Sequence, residues 1–364
     1  MEPVEEETPV TGPALSTGAT LLNLAYTSRP DVGLVGGKYY FIVGDSASGK
    51  TIWSMVLFAE ACINPAFADH TLIYDNVEDG MLMNTDNLFG EAVTERMQPP
   101  PKGFSETLDE FYFNLDDAAL EAGWDGKKKK FTGKPIKPFI YILDSMDAIT
   151  AAADDEKFDK QKQVARKAGK PREEGEKVEK TAGSYGMAKA KQNSESLRRA
   201  MRGVRRTNSI LIIISQTRDS LYGKTRAGGR ALRFYSTVEV WTKPVEKIFR
   251  TVLGKERQIG DKVQFKTVKN RITGRLHEVE LDIYPNLGID DLGACVDYLV
   301  EEGRWAKDGQ TLTGTIVGDG TREKVIKLIE KRGLEGRLRA MCGEVWSEVE
   351  AAMALKRKNR YTGV

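Results

Sequence analysis

Cysteine, histidine and long apolar runs are all scarce in this sequence, and each scarcity closes a route. Three cysteines, Cys62, Cys295 and Cys342, are spread over 364 residues with no CxxC pair. That odd number and wide spacing argue against a disulfide framework and against a thiolate zinc site. Two histidines, His70 and His277, are too few for a His-based metal centre. No apolar run approaches the roughly 18 residues that a membrane-spanning helix needs. The first residues, MEPVEEETPVTGP, are acidic and lack the apolar core of a secretory signal. The expectation is a reduced, soluble, cytoplasmic chain with no membrane partner. Net charge is nearly absent too, since 55 Lys+Arg face 53 Asp+Glu for a total of +2.

What is present is an ordinary globular composition, with 40% hydrophobic and 30% charged residues. At about 150 residues per domain, the length predicts a large domain and a small one. Apolar runs at Tyr39–Val43, Thr71–Tyr74, Phe139–Leu143 and Ile210–Ile214 read as buried strands. Helical periodicity marks Thr20–Tyr26, Thr51–Cys62 and Ser194–Arg206. Near-continuous apolar strands separated by helices predict an α/β fold with a mostly parallel sheet covered on both faces. Residues 1–14 read as an acidic tail and 15–286 as the core. Two charged insertions interrupt that core, at about 123–138 and 154–180. Strand-like pattern returns from Val263 to Ile283. Residues 287–364 read as a small, mostly helical or α/β domain that ends in a basic tail.

One motif carries chemistry outright. Gly44-Asp45-Ser46-Ala47-Ser48-Gly49-Lys50-Thr51 fits G-x-x-x-x-G-K-[ST], and it sits between a predicted strand and a predicted helix. Glycines let the backbone curl so that successive N–H groups face phosphate oxygens, and the helix N-terminus adds partial positive charge. Lys50 then reaches the β- and γ-phosphates and the Thr51 hydroxyl takes Mg²⁺. The substrate expected here is ATP or GTP. Asp144 ends the run Phe139–Leu143, where a carboxylate holds Mg²⁺ through water. Glu78 follows the strand Thr71–Tyr74 and is a candidate for orienting the attacking water, in competition with Asp75 and Asp79. Gln216 ends Ile210–Ser215, where an amide can sense the γ-phosphate.

In this combination the chain resembles the RecA family of recombinases, phage members included. The loop GDSASGKT resembles the family's GPESSGKT, and Leu143–Ala148, LDSMDA, resembles V-D-S-V-A-A. Gly228–Ser236, GGRALRFYS, is similar to G-G-N-A-L-K-F-Y-A-S, and this match is the most specific. Lys266–Arg271, KTVKNR, is similar to K-V-V-K-N-K. The resemblance implies a RecA-like ATPase core with a small C-terminal domain. It implies a DNA-dependent ATPase, bacterial or phage-encoded, that uses ATP and Mg²⁺. Its partners would be single- and double-stranded DNA and further copies of itself, in a filament or a ring. By position, Lys50, Thr51 and Asp144 would hold phosphate and Mg²⁺, and Glu78 would be the catalytic glutamate. Lys269 and Arg271 would reach the γ-phosphate on a neighbouring subunit, and Phe234 would pack into that neighbour. Gly183–Asn193 would form a first DNA loop and Thr217–Arg230 a second.

The residues agree with that implication. The stretch Thr217–Gly229 sets Arg218, Lys224 and Arg226 among Gly, Ser and Thr, phosphate-seeking side chains on an adaptable backbone. Gly228, Gly229 and Arg230 close it, and Arg199 lies on the basic helix before it. Ser184–Tyr235 holds twelve Lys+Arg against two acids, a net +10, which leaves −8 for the rest. The near-zero total therefore conceals one strongly basic segment, where nucleic acid is expected to bind.

Overall fold

The apolar runs form strands and the segments between them form helices. The computed structural model describes residues 12–80, 83–150, 182–220, 223–226, 229–355 and 357, with the backbone alone for 182–191, 218–220, 223–226 and 229. Helix α1 (Thr20–Thr27) leads to strand β1 (Lys38–Gly44), then helix α2 (Lys50–Ile63) and strand β2 (Thr71–Asn76). Helix α3 (Leu108–Glu121), strand β3 (Phe139–Asp144), helix α4 (Ala182–Arg206) and strand β4 (Ile210–Ser220) follow. A short strand β5 (Gly223–Arg226) and helix α5 (Gly229–Tyr235) precede the long strands β6 (Val238–Val252) and β7 (Lys255–Asn270). After β8 (Glu278–Tyr284) come helices α6 (Asp291–Glu301), α7 (Arg322–Lys331) and α8 (Glu335–Met353). A small three-stranded sheet lies between α6 and α7.

The main sheet runs β8-β7-β6-β1-β4-β3-β2, with short strands of two residues at either edge. From β6 to β2 all pairs are parallel, whereas β6, β7 and β8 pair antiparallel. Alternate residues of each strand face opposite sides, and both sides are apolar. Tyr39, Phe41, Tyr141, Leu143, Leu211 and Ile213 pack beneath α3 and α4. Tyr40, Ile42, Ile140, Ile142, Ile212 and Ile214 pack beneath α1 and α2. Burying a side chain of this size is worth about 1.5–3 kcal/mol each, so the three central strands are the most strongly driven part of the fold.

The C-terminal helices join the second of these clusters through Cys295, Leu299 and Trp346. Asp291, in the first turn of α6, accepts hydrogen bonds from the Thr20 backbone N–H (2.6 Å) and hydroxyl (3.1 Å), so it caps the start of α1 from outside.

Four segments differ from expectation or were not foreseen. Residues 238–270 form one long hairpin. Its first strand lies parallel to β1 and supplies a fifth parallel strand, unforeseen because Pro244 and dense charge interrupt the apolar pattern. Pairing with β8 ends at Asp261, so the tip with Phe249 and Leu253 stands exposed. Gly183–Asn193, expected as a loop, is helical and continuous with α4, its Ala, Met, Lys and Gln outweighing two glycines. Thr217–Arg226, also expected as a loop, pairs on itself as a two-stranded turn of β4 and β5. Gly123–Pro138 folds into a small hairpin, Trp124–Asp125 against Lys130–Phe131. The acidic tail's residues 1–11 and the whole 154–180 insertion lie outside the described residues.

His70 gives the fold a definite acid response. It is 6% exposed, lies 4.3 Å from the Phe67 ring, and neither ring nitrogen has a hydrogen-bond partner among the described residues. Burial, reinforced by Arg96, pushes its pKa down to about 4 from 6.5. Because the folded pKa lies below the unfolded one, the unfolded chain takes up a proton first, and stability falls as pH drops from 6.5 towards 4. His70→Leu is expected to flatten the urea-midpoint profile across that window. An unchanged profile would refute this account of the site.

Candidate active site

The loop after β1 is shaped by space as much as by sequence. A Cβ on Gly44 would lie 1.9 Å from Thr242 Oγ1 and 2.6 Å from Ser48 Oγ, so only glycine fits. Ala47 (φ 57°) and Gly49 (φ 73°) both take left-handed backbone. Two such residues in one short turn aim successive N–H groups inwards, which is an anion-binding concavity. Helix α2 starts at Lys50 and adds its dipole.

Lys50 is 9% exposed, and its amine donates to the carbonyls of Gly44 (3.1 Å) and Asp45 (2.6 Å) and to Ser48 Oγ (3.3 Å). Burial pushes its pKa down, and the carboxylates of Asp144, Glu78, Asp45 and Asp147 pull it back up. Thr51 Oγ1 donates to Asp144 Oδ2 at 2.7 Å, and the Tyr74 hydroxyl donates to the same oxygen at 2.9 Å. Burial raises the Asp144 carboxyl above the usual range, while these two donors oppose the rise. A hydroxyl beside a carboxylate at the foot of an N–H-lined loop is a hard-oxygen pair suited to Mg²⁺ next to phosphate. The residues present therefore fit a Mg–nucleotide.

The other candidates reach this cleft from neighbouring strand ends. Register sets Gly44 opposite Gln216 and Asp144 opposite Asn76. Gln216 Nε2 donates to Glu78 Oε1 at 3.0 Å, and Ser145 Oγ donates to the same oxygen. The backbone N–H groups of Val77 and Glu78 donate to the Asp144 carbonyl (2.9 and 3.2 Å), which fixes the turn carrying Glu78. Asp75 is not free for catalysis. It is fully buried, and its carboxylate accepts from Ser105 N (2.9 Å), Ser105 Oγ (2.6 Å) and the Tyr141 hydroxyl (2.6 Å). Asp79 is exposed at φ 49° and does not line the cleft. The cleft, about 350 Å³, is lined by residues 46–52 with Glu78, Asp144 and Gln216. Val263, Ile283 and Pro285 make its apolar wall, the side a nucleobase would need.

Lys269 and Arg271 stand elsewhere. Lys269 is opposite Glu239, which is level with Phe41 of β1, and Arg271 lies beyond the start of β6. Lys269 is thus level with the middle of β1, and neither residue lines the cleft. The Lys269 amine caps the C-terminus of α5, donating to the carbonyls of Arg233, Phe234 (3.0 Å) and Ser236 (2.7 Å). The Arg271 guanidinium lies 5.6 Å from the centroid of the Phe234 ring, and Phe234 is 63% exposed. Arg199, expected to contact DNA, pairs with Asp116 of α3 at 2.6 Å. Arg230 is exposed at the start of α5. Arg218, Lys224, Arg226 and Gly229 are placed by backbone on β4, β5 and α5, and Gly228 lies outside the described residues.

Two residues that brace the cleft from outside its lining were missed from sequence. Asp147 Oδ2 accepts from Ser215 Oγ (2.7 Å) and from the Gln216 backbone N–H (2.6 Å), tying the turn after β3 to the end of β4. Its signal was present, since an acid stands in LDSMDA where V-D-S-V-A-A has none. Thr217 Oγ1 donates to Asp45 Oδ1, which joins the phosphate loop to the start of the β4–β5 turn. No local pattern announces that contact, because 172 residues separate the pair.

Comparison with known proteins agrees with this arrangement. The family model of the RecA N-terminal domain matches residues 163–290. "Protein RecA" of Bordetella petrii is 30% identical over 313 residues, covering 84% of this chain and 73% of that protein. "Protein RecA" of Teredinibacter turnerae is 26% identical over 362 residues, covering 94% and 89%. The match to "Protein RecA" of Chlorobaculum tepidum is 34% identical over 145 residues and spans 40% of that protein's length. A parallel α/β core with this loop and these strand-end residues, matched along nearly its whole length, assigns the chain to the RecA family.

Proposed function

We propose that this protein is an ATP-dependent DNA recombinase that assembles on single-stranded DNA, pairs it with homologous duplex and hydrolyses ATP between subunits. The observation that carries the reading is a division of labour. Lys50, Thr51, Asp144, Glu78 and Gln216 converge on one cleft, while Lys269 and Arg271 line neither side of it and stand beside exposed Phe234. In this reading those cations serve another copy's cleft.

In this reading Lys50 turns from the loop carbonyls to the β- and γ-phosphates. Thr51 and Asp144 would hold Mg²⁺, which would supply positive charge against the phosphate oxygens. Glu78 orients and deprotonates the attacking water, because Asp75 is committed elsewhere and Asp79 faces solvent. Gln216 hydrogen-bonds Glu78 and begins the β4–β5 turn that carries Arg218, Lys224 and Arg226. A change at the γ-phosphate therefore reaches the basic turn through one amide, with Asp147 holding that amide's backbone in place. Lys269 and Arg271 of the adjacent subunit complete the charge stabilisation in trans. A trans cation of this kind is worth about 10³–10⁵ in rate, or roughly 4–7 kcal/mol of barrier. Hydrolysis then requires assembly, and ATP at the interface favours the DNA-bound form by linkage.

Lys50→Ala is expected to abolish ATP-dependent binding to single-stranded DNA, measured by fluorescence anisotropy. Retained binding would sink the whole reading. Glu78→Gln is expected to lower DNA-stimulated turnover by about 10²–10⁴ while nucleotide affinity stays near wild type. Equal turnover in the two proteins would remove Glu78 from the mechanism. Asp147→Ala is expected to reduce the stimulation of ATPase by DNA more than the basal rate, and an equal loss of both would mark Asp147 as merely structural. Neutralising Arg218, Lys224 and Arg226 together is expected to lower the salt slope of single-strand binding by about 2. An unaltered slope would move the DNA site elsewhere.

A further inference from the structure

The segment between α3 and β3 carries charge that the nucleotide cleft does not use. Residues 127–130 are four consecutive lysines, and Lys134 and Lys137 follow before β3 begins. All six are exposed. The segment is nonetheless built rather than loose. Asp125 Oδ1 accepts from the backbone N–H groups of Lys127 (3.0 Å) and Lys128 (2.9 Å), and the Thr132 N–H returns to the Gly123 carbonyl at 2.9 Å. Gly123 takes φ 100° where the backbone of residues 134–136 passes within 4 Å.

This hairpin is docked on the last turns of α4. The Arg206 guanidinium lies 5.5 Å from the centroid of the Trp124 ring. A Cβ on Gly203 would lie 2.7 Å from Ala119 Cβ, so α4 meets α3 closely just there. Arg202, Arg205 and Arg206 are exposed at this end of α4, beside the lysine hairpin. Counter-charge is thin. Asp116 and Asp117 are taken by Arg199 (2.6 Å) and Lys102 (2.8 Å), and Asp125 is shared with Lys128 at 3.6 Å. Glu121 is the remaining exposed acid on the adjoining turn of α3.

Topology puts this basic face opposite the nucleotide cleft. It lies where β1, β3 and β4 begin, and Lys38 is level with Ile210. The phosphate loop and Gln216 lie at the other ends of the same strands, six residues on, or about 20 Å at 3.3 Å per residue. A strand held by the β4–β5 turn does not account for it.

We propose that this face is a second DNA-binding surface, which takes the phosphate backbone of a duplex segment. It rests on the recombinase reading only in supposing that the protein meets DNA. Nine cations on a fixed ribbon and a fixed helix end match a rigid lattice of phosphates, which positions DNA without reading bases. Phe131, 43% exposed and 5.1 Å from the Trp124 ring, is the one ring the hairpin offers to solvent. A single ring makes no stacking ladder for single strands, so the surface favours duplex.

The test replaces Lys127, Lys128, Lys129 and Lys130 together by serine in the full chain, with the four-arginine replacement as the charge-retaining control. Protein loaded on single-stranded DNA with a slowly hydrolysed ATP analogue is titrated with a labelled heterologous duplex at several salt concentrations. The serine variant is expected to bind duplex at least tenfold more weakly, with a salt slope smaller by about 3–4, and the arginine variant to bind as wild type. Single-strand affinity and ATPase should stay within about twofold in both. Unchanged duplex affinity and slope in the serine variant would overturn the proposal, as would a loss confined to acidic polypeptide or anionic vesicles assayed alongside. If the wild type fails to load on single strands, the recombinase reading falls. The free protein's lysine-dependent duplex affinity then decides this proposal separately.

Discussion

The in-register parallel pairing of β1, β4 and β3 is the constraint on which the rest of the molecule depends. Gly44 opposite Gln216, and Leu143 opposite Ile213, bring a phosphate loop, an amide and a carboxylate to one edge of one sheet. A shift of one residue would turn every apolar side chain to the wrong face, and both faces are buried. The register is therefore held by the whole core, and the reactive groups inherit its precision. Polar residues begin where the apolar runs stop, at Asp144 and Ser215–Gln216. The cleft is the line along which burial ends.

Short polar links tie the groups of that edge to one another, and in the proposed mechanism they couple the cleft to the basic turn. Glu78, Ser145 and Gln216 share one carboxylate oxygen, and Asp147 grips the backbone of Gln216. Thr217 reaches Asp45 in the phosphate loop. None of these contacts is strong alone, at about 0.5–3 kcal/mol each. Together they leave few ways for the loop to change without moving the start of the β4–β5 turn. Away from the cleft Lys269 and Arg271 are held by α5 and Phe234. In the proposed mechanism assembly exchanges those contacts for a neighbour's phosphate.

Much of this was legible in the sequence because the physics is local there. Apolar runs such as Ile210–Ile214 become strands wherever a core forms, and GDSASGKT contains its own backbone geometry. What was not legible depends on distant partners. Glu78, Asp75 and Asp79 look alike in sequence, and they are separated only by the capture of Asp75 by Ser105 and Tyr141 and by the absence of Asp79 from the cleft lining. The β6–β7 hairpin hid behind Pro244 and alternating charge because half of it stands in solvent, where no apolar pattern is needed. Arg199 resembled its neighbours on α4 until Asp116 was placed beside it. The helix at Gly183–Asn193 was missed because a resemblance to a loop outweighed the residues' own helical preference.

The claim at the centre is that one subunit's cleft is completed by another's cations. Mixing the Glu78→Gln protein with a Lys269→Ala/Arg271→Ala protein tests it directly, since each lacks what the other supplies. Random co-assembly on DNA should restore turnover to about a quarter of the wild-type rate, although each protein alone is nearly inactive. A mixture no more active than its components would contradict the account.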